Sequence, residues 1–288
     1  MTTSRPPLPD RKTIAANVRA TLAEDIGGGD LTAKLIPASQ RVTARLVCRE
    51  PAVLCGCPWF EEVFRQLDPA VVVEWRFEDG DRLSADSLVC LLHGPARPIL
   101  TGERSAINLL QTLSGTATAA GAYARRLEGL RTRVLDTRKT LPGLRLAQKY
   151  AAATGGATNH RVGLFDGILI KENHIRAAGS IAAAVEQARR EASPHCLLEV
   201  EVESLSELKQ ALAAGAPRIM LDNFDLETMR QAVTRTDHRA ELEASGDVTL
   251  DNIREIAATG VDFISVGAIT KHLRSIDFSM RFEDASGR

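Results

Sequence analysis

At 288 residues the chain is long enough for one large domain or two of ordinary size. Its 36 Lys+Arg balance 37 Asp+Glu, leaving a formal net charge of -1, which argues against nucleic acid as the main partner. No run of about 18 apolar residues occurs, so no membrane span is expected, and the opening stretch MTTSRPPLPDRK lacks the apolar core of a secretory signal.

That stretch reads as a frayed lead-in to an amphipathic helix over Arg11 to Asp25. Gly27-Gly28-Gly29-Asp30 then forces a turn, since three glycines cannot sustain a helix. Val42 to Arg49 alternates like a strand, Pro58 to Leu67 has helical spacing, and Val71 to Phe77 and Ser87 to Leu92 read as strands around the turn Asp79-Gly80-Asp81. This is a strand-and-helix domain of antiparallel character. A long helix follows from about Glu103 to Leu127, and its small residues Ser114, Gly115, Ala117 and Gly121 invite close approach of another backbone. The five cysteines, Cys48, Cys55, Cys57, Cys90 and Cys196, are odd in number, and Cys55-Gly56-Cys57 is too tight for an ordinary zinc knuckle. They are read as reduced, mostly buried thiols of a cytoplasmic protein.

From Arg131 the pattern changes. The runs RVLDT, GILIK, LLEVEVE, RIMLDN, AELEASG and FISVGA alternate with helical stretches over Ser180 to Glu191, Ser204 to Ala214, Leu226 to Thr234 and Thr249 to Thr259. Such β-then-α repetition means parallel strands with helices outside, a barrel or barrel-like sheet. Each run ends in polar residues or glycine: Arg138 and Lys139, Lys171, Glu201 or Glu203, Asp222, Ser245-Gly246, and Gly267-Ala268. In parallel barrels the C-terminal strand ends form the active face, so a ring of cations, acids and glycine turns is expected there. Polar strand ends are common in any protein, but six chemically complementary ones are less easily dismissed.

The segment Asp136 to His174 also concentrates Arg138, Lys139, Arg145, Lys149, His160, Arg161, Lys171 and His174 among apolar runs. Cations beside buried strands are costly unless they meet anions. The turns Ser245-Gly246-Asp247, ahead of a helix expected near Thr249, and Val266-Gly267-Ala268 suit phosphate through backbone N–H groups. Glu201 and Asp222 suit Mg²⁺ or sugar hydroxyls, or simply neutralisation by Lys139 or Lys171. Arginine forks suit planar carboxylates. Together these point to a phosphosugar pyrophosphate and a second, multiply charged anion.

The ordered set EDIGGGDLT (Glu24 to Thr32), GERSAINLLQTLSGTAT (Gly102 to Thr118), DTRKTLPGLR (Asp136 to Arg145), GGATNHRVGLFDGILIKENH (Gly155 to His174), EVEVES (Glu199 to Ser204), LDNF (Leu221 to Phe224), EASG (Glu243 to Gly246) and SVGAITKH (Ser265 to His272) resembles the quinolinate phosphoribosyltransferase family along nearly the whole chain. The resemblance implies an α/β fold, an N-terminal α/β sandwich domain over 1–115, joined by the tail 276–288, and an incomplete parallel α/β barrel over 116–275. It implies a reaction: quinolinate and phosphoribosyl pyrophosphate give nicotinate mononucleotide, pyrophosphate and CO2 with Mg²⁺, on the de novo route to NAD. It assigns Arg138, His160, Arg161 and Lys171 to the quinolinate carboxylates and Arg104 to a site reached from the partner subunit of a homodimer, with dimer and hexamer left open. Thr137 joins the substrate-binding set. Lys139 and Lys171 face the pyrophosphate and reacting centre, Glu201 and Asp222 the ribose hydroxyls and Mg²⁺. The turns at Ser245, Gly246, Asp247, Val266, Gly267 and Ala268 take the 5′-phosphate. For Arg104 the plain alternative is a salt bridge with an acid such as Glu103.

Three rival readings stay open: a phosphoribosyltransferase of the same fold acting on nicotinate or another heterocyclic acid, a Schiff-base aldolase with Lys171 as nucleophile, and a non-catalytic phosphosugar-binding protein.

Overall fold

The structure, a computed structural model, describes residues 6–193 and 196–283. The expected lead-in is thus described only from Pro6, and residues 284–288 of the tail lie outside the described residues. In chain order the elements are α1 (Arg11–Ile26), β1 (Arg41–Cys48), β2 (Ala52–Val53), α2 (Cys57–Leu67), β3 (Val72–Trp75), β4 (Arg82–Leu83), β5 (Ser87–Pro95), α3 (Ala96–Arg126), β6 (Arg133–Leu135), α4 (Arg145–Thr154) and β7 (Gly167–Ile170). There follow α5 (Glu172–Ala178), α6 (Ile181–Glu191), β8 (Leu197–Val202), α7 (Leu205–Ala213), β9 (Arg218–Asp222), α8 (Leu226–Thr236), β10 (Glu241–Ser245), α9 (Ile253–Ala257), β11 (Phe263–Ser265), α10 (Ala268–Lys271) and β12 (Phe278–Phe282). They form two compact units, one of residues 1–121, 141–156 and 272–288, the other of 122–140 and 157–271.

The first unit carries an antiparallel sheet of order β12-β1-β5-β3. Alternation along β1 turns Ala44, Leu46 and Cys48 inward, all fully buried. Helix α1 is capped by the Asp10 carboxylate, which accepts the Thr13 N–H at 2.6 Å, and stops at Gly27, whose φ of 49° breaks the helix. Its Ile14, Val18 and Leu22 recur every turn and are buried. Asp30 ends the glycine turn by accepting the N–H groups of Thr32 and Ala33 and the Thr101 hydroxyl.

Helix α2 buries Trp59, Phe60, Val63 and Phe64. Its first N–H groups, from Gly56 and Cys57, donate to Asp79 at 3.0 Å, and the Tyr150 hydroxyl donates to the same carboxylate at 2.9 Å. Tyr150 also tilts against Trp59 with ring centroids 5.7 Å apart. These contacts are why α4, read from the sequence as part of the second domain, packs within the first unit. Helix α3 begins directly after β5 at Ala96, earlier than expected. Its small residues do admit close neighbours: Gly102 faces Phe64 and Leu67, Gly115 faces the Arg274 carbonyl, and Ser114 bonds both backbone groups of Cys55. The tail returns as β12, paired antiparallel with β1. All five cysteines are free thiols, Cys48, Cys55 and Cys90 buried and Cys57 and Cys196 partly so.

The second unit is a six-stranded sheet of order β6-β11-β10-β9-β8-β7, every pair parallel. The end strands β6 and β7 are not hydrogen-bonded to each other, so the barrel is incomplete. Ser180, Ser204 and Asp225 each accept an N–H from the first turn of α6, α7 and α8. Those helices bury Ile181, Leu208 and Met229 and leave their charged faces to solvent.

Candidate active site

The sheet register decides which side chains share a face. Glu201 pairs with Met220, Met220 with Glu243, and Glu243 with Phe263. Since side chains alternate along a strand, Glu199, Glu201, Asp222, Glu243 and Ser245 all project to one side of the sheet. The strand ends gather their polar residues there, as the runs of the sequence suggest.

At the end of β7 and β8, Lys171 pairs with the Glu201 carboxylate. This is the neutralised acid foreseen as the plain alternative to a metal ligand. Next along, Asp222 accepts the Asn223 side-chain N–H at 2.9 Å through Oδ2. Its Oδ1 accepts nothing from the described residues.

The turns after β10 and β11 differ in build. Gly246 (φ 111°) and Asp247 (φ 43°) both lie in the left-handed region, and the Ser245 carbonyl accepts the Asn223 N–H at 2.9 Å. The helix expected at Thr249 starts at Ile253 instead: Asn252 turns back to accept the Thr249 N–H and to donate to the Asp247 carbonyl, closing a loop ahead of α9. Gly267 leads straight into α10. The N–H groups of Gly246, Asp247, Gly267 and Ala268 donate to no described group, which leaves them available to an anion. The Lys139 stem runs beside Gly267, where a Cβ would lie 3.1 Å from Lys139 Cδ and 3.6 Å from Nζ. The Thr270 hydroxyl donates to the Lys139 carbonyl at 2.8 Å, and the Lys139 N–H donates to Thr137 Oγ1 at 3.2 Å. Lys139 is thereby set at the Gly267 turn.

The segment Asn159-His160-Arg161 is pinned by buried acids. Asp136, fully buried after β6, accepts the Asn159 side chain at 2.7 Å and the His160 N–H at 2.8 Å. The His160 imidazole, with its side chain 8% exposed, sets Nε2 2.8 Å from Glu199 Oε2 and 3.4 Å from Glu243 Oε2. Both glutamates are fully buried, and Glu199 Oε1 and both Glu243 oxygens accept no hydrogen bond. The Arg161 N–H donates to His160 Nδ1 at 2.8 Å. That contact selects the Nε2–H tautomer, with Nε2–H donated to Glu199. Burial opposes charge on His160, while the facing Glu199 and Glu243 carboxylates favour it. Burial raises Glu199 to about 7, against the His160 bond and with the Glu243 charge adding to it. The cluster therefore holds on to protons in the neutral range.

Arg161 lies with its stem on Gly167 and donates from a guanidinium nitrogen to the Gly167 carbonyl at 3.0 Å. Burial, then repulsion from Arg138, pulls its pKa down, so these two cations share one electrostatic neighbourhood. Arg104 lies in the first unit, exposed on α3, with no salt bridge to Glu103 or any other described residue.

Three residues of this arrangement were not singled out from the sequence: Asp136, Glu199 and Glu243. A signal existed for the glutamates. In LLEVEVE and AELEASG a glutamate stands mid-strand, two residues before a residue of the expected ring, and so on its face.

Residues 116–281 match the family model described as the C-terminal domain of quinolinate phosphoribosyl transferase, and residues 30–114 match that of its N-terminal domain. The chain is 43% identical over 257 residues to a protein of Bacillus subtilis (strain 168) named probable nicotinate-nucleotide pyrophosphorylase [carboxylating], covering 89% of each. It is 42% identical over 272 residues to the nicotinate-nucleotide pyrophosphorylase [carboxylating] of Mycobacterium leprae (strain TN), covering 91% of this chain and 95% of that one. The solved nicotinate-nucleotide pyrophosphorylase from Francisella tularensis superposes with a TM-score of 0.94 at 46% identity, covering 98% of this chain and 100% of that chain. With both domain models matched in order and the strand-end ring in place, the chain belongs to the quinolinate phosphoribosyltransferase family.

Proposed function

We propose that this chain is a carboxylating nicotinate-nucleotide pyrophosphorylase of NAD biosynthesis, transferring phosphoribosyl from phosphoribosyl pyrophosphate to quinolinate with loss of CO2. The observation that carries the reading is the sorting of charge around one sheet face. Undonated N–H groups and Lys139 lie at the β10 and β11 turns, carboxylates at β8 and β9, and Arg138, Arg161 and Lys171 beside them.

In this reading the turns at Ser245, Gly246, Asp247, Val266, Gly267 and Ala268 take the 5′-phosphate, and Lys139 and Lys171 the pyrophosphate side. Arg138, Arg161 and Lys171 meet the two carboxylates, with Thr137 and His160 in the same pocket wall. Glu201 and Asp222 take the ribose hydroxyls. Their hard oxygen donors, one of them the uncommitted Asp222 Oδ1, fit Mg²⁺ as well, and bound Mg²⁺ would offset charge on the departing pyrophosphate.

As the pyridine nitrogen bonds to C1 of the ribose, the C1–O bond breaks and its electron pair leaves with pyrophosphate. Positive charge grows on the sugar and is countered by Glu201 and Asp222. The new pyridinium then draws the electron pair of the C2–carboxylate bond as CO2 departs, and C2 takes up a proton. No covalent enzyme nucleophile enters, so orientation and charge placement supply the rate.

The reading carries a homodimer in which Arg104 enters the partner's site. Arg104 stands exposed with no salt bridge to a described residue, and Leu31 and Leu35 of the first unit are 78% and 81% exposed and Leu164 and Phe165 of the second 75% and 83%, apolar side chains of the kind that partners cover. It also carries a cytoplasmic setting, supported by the unpaired thiols; no described helix is long and apolar enough to cross a membrane.

The deciding experiment is product formation from phosphoribosyl pyrophosphate and Mg²⁺ with quinolinate or nicotinate. CO2 and nicotinate mononucleotide appearing with quinolinate alone support the reading. Turnover of nicotinate without CO2 moves the protein to a non-decarboxylating activity. No turnover with either, with borohydride trapping of a carbonyl substrate on Lys171, moves it to an aldolase.

A further inference from the structure

Two buried glutamates facing one histidine are an expensive arrangement. Glu199 and Glu243 are each fully enclosed, and between them they leave three carboxylate oxygens without a hydrogen bond. Each such group costs desolvation that a leucine or methionine would not incur. Nor does either close a helix or carry a strand: their backbones already sit in the ladders of β8 and β10. What they engage is the His160 ring, at 2.8 and 3.4 Å.

The ring has nothing left for a ligand. Nε2–H points at the two acids and Nδ1 accepts the Arg161 N–H at 2.8 Å. His160 is thus a strut between the acids of β8 and β10 and the backbone of the next residue. Arg161 in turn is fixed at its far end by the Gly167 carbonyl, at 3.0 Å.

We propose that Glu199 and Glu243 are positioning residues: through His160 they hold Arg161 where it meets a carboxylate of the substrate. The inference rests on the quinolinate reading above. His160 then acts on the substrate through Arg161, and the acids serve recognition of the dianion at the expense of stability.

The test uses the full chain with Glu199→Leu, Glu243→Met and the shape-preserving Glu199→Gln and Glu243→Gln. KM for quinolinate, KM for phosphoribosyl pyrophosphate, kcat and Tm are read for each. Glu199→Leu and Glu243→Met are expected to raise the quinolinate KM about tenfold or more and to leave the phosphoribosyl pyrophosphate KM within twofold. Glu199→Gln keeps an acceptor for Nε2–H and is expected to recover most of the quinolinate KM. An unchanged quinolinate KM in folded variants overturns the proposal. So does a fall in Tm with both KM values and kcat worsening together, which would make the acids core supports. If the apolar variants do not fold, Glu243→Gln, which drops the charge alone, must still raise the quinolinate KM selectively, and no change there is equally fatal. A parent protein that turns over nothing with quinolinate removes the underlying reading instead.

Discussion

Lys171 and Glu201 form a salt bridge across the ends of β7 and β8, with the lysine side chain 46% exposed and the glutamate 14%. Lys171 leads into α5 as its N-cap, and its N–H accepts no strain: it donates to His174 Nδ1 at 2.9 Å. The ammonium is thus placed by local backbone geometry and neutralised by a residue of the next strand.

An ion pair this exposed contributes about 1 kcal/mol or less to stability. Lys171→Ala should therefore keep Tm within a few degrees while turnover falls at least about a hundredfold, the usual loss on removing a preorganised charge. Differential scanning calorimetry together with CO2 release checks both halves. Full activity in the variant would remove Lys171 from the reacting centre.

Arg138→Ala and Arg161→Ala should each raise the quinolinate KM by roughly tenfold to a hundredfold, the loss of a charged hydrogen bond, while phosphoribosyl pyrophosphate still binds. Steady-state kinetics with each substrate varied in turn measures this. Normal quinolinate constants in both variants would refute the carboxylate assignment.

The two glycine turns should respond differently to a methyl group. Gly246 combines φ 111° with a Cβ position that runs into Asn223, so Gly246→Ala should cost about 1–3 kcal/mol of stability. At Gly267 the obstacle is the flexible Lys139 stem, 3.1 Å from the new Cβ. Gly267→Ala should fold normally and raise the phosphoribosyl pyrophosphate KM by displacing Lys139. Urea titration and kinetics on both variants separate strain from displacement.

Stability should fall as pH rises toward the neutral range. Glu199 keeps its proton to about 7 against an ordinary 4.5. The folded cluster therefore binds more protons than the unfolded chain between those values, and stability drops as pH rises wherever the folded state binds more. Tm measured as pH is raised toward and through about 7 should decline, and the slope should flatten in Glu199→Leu. A Tm that rises over this window would contradict the sign.

Arg104→Ala should be inactive, and mixing it with inactive Lys171→Ala should restore part of the activity, because in a shared-site dimer some sites then have both residues intact. Proven subunit exchange without recovery would count against a site completed by the partner.

The element types were readable because they rest on local chemistry. Alternation gave β1, helical spacing gave α1 and α2, and the alternation of strand runs with helical stretches marked α6, α7 and α8. Boundaries were missed where a local preference yielded to a particular contact. Thr249 looked like a helix start, yet Asn252 closes a loop there and α9 waits until Ile253. Helix α4 reads like any helix of the second domain, and contacts such as Tyr150 with Trp59 and Asp79 and Gln148 with Thr116 assign it to the first unit.

By itself, the sequence determined that parallel strands end in cations, acids and glycines, because the character of a strand end is written in adjacent residues. It also carried enough ordered motif to point to the family. Only the tertiary structure decided what those residues meet. Glu199 is 39 residues from His160, and no pattern in either segment says that they touch. Contacts at such separation depend on the register of every strand between them, and one residue of slip would turn each buried acid to the opposite face.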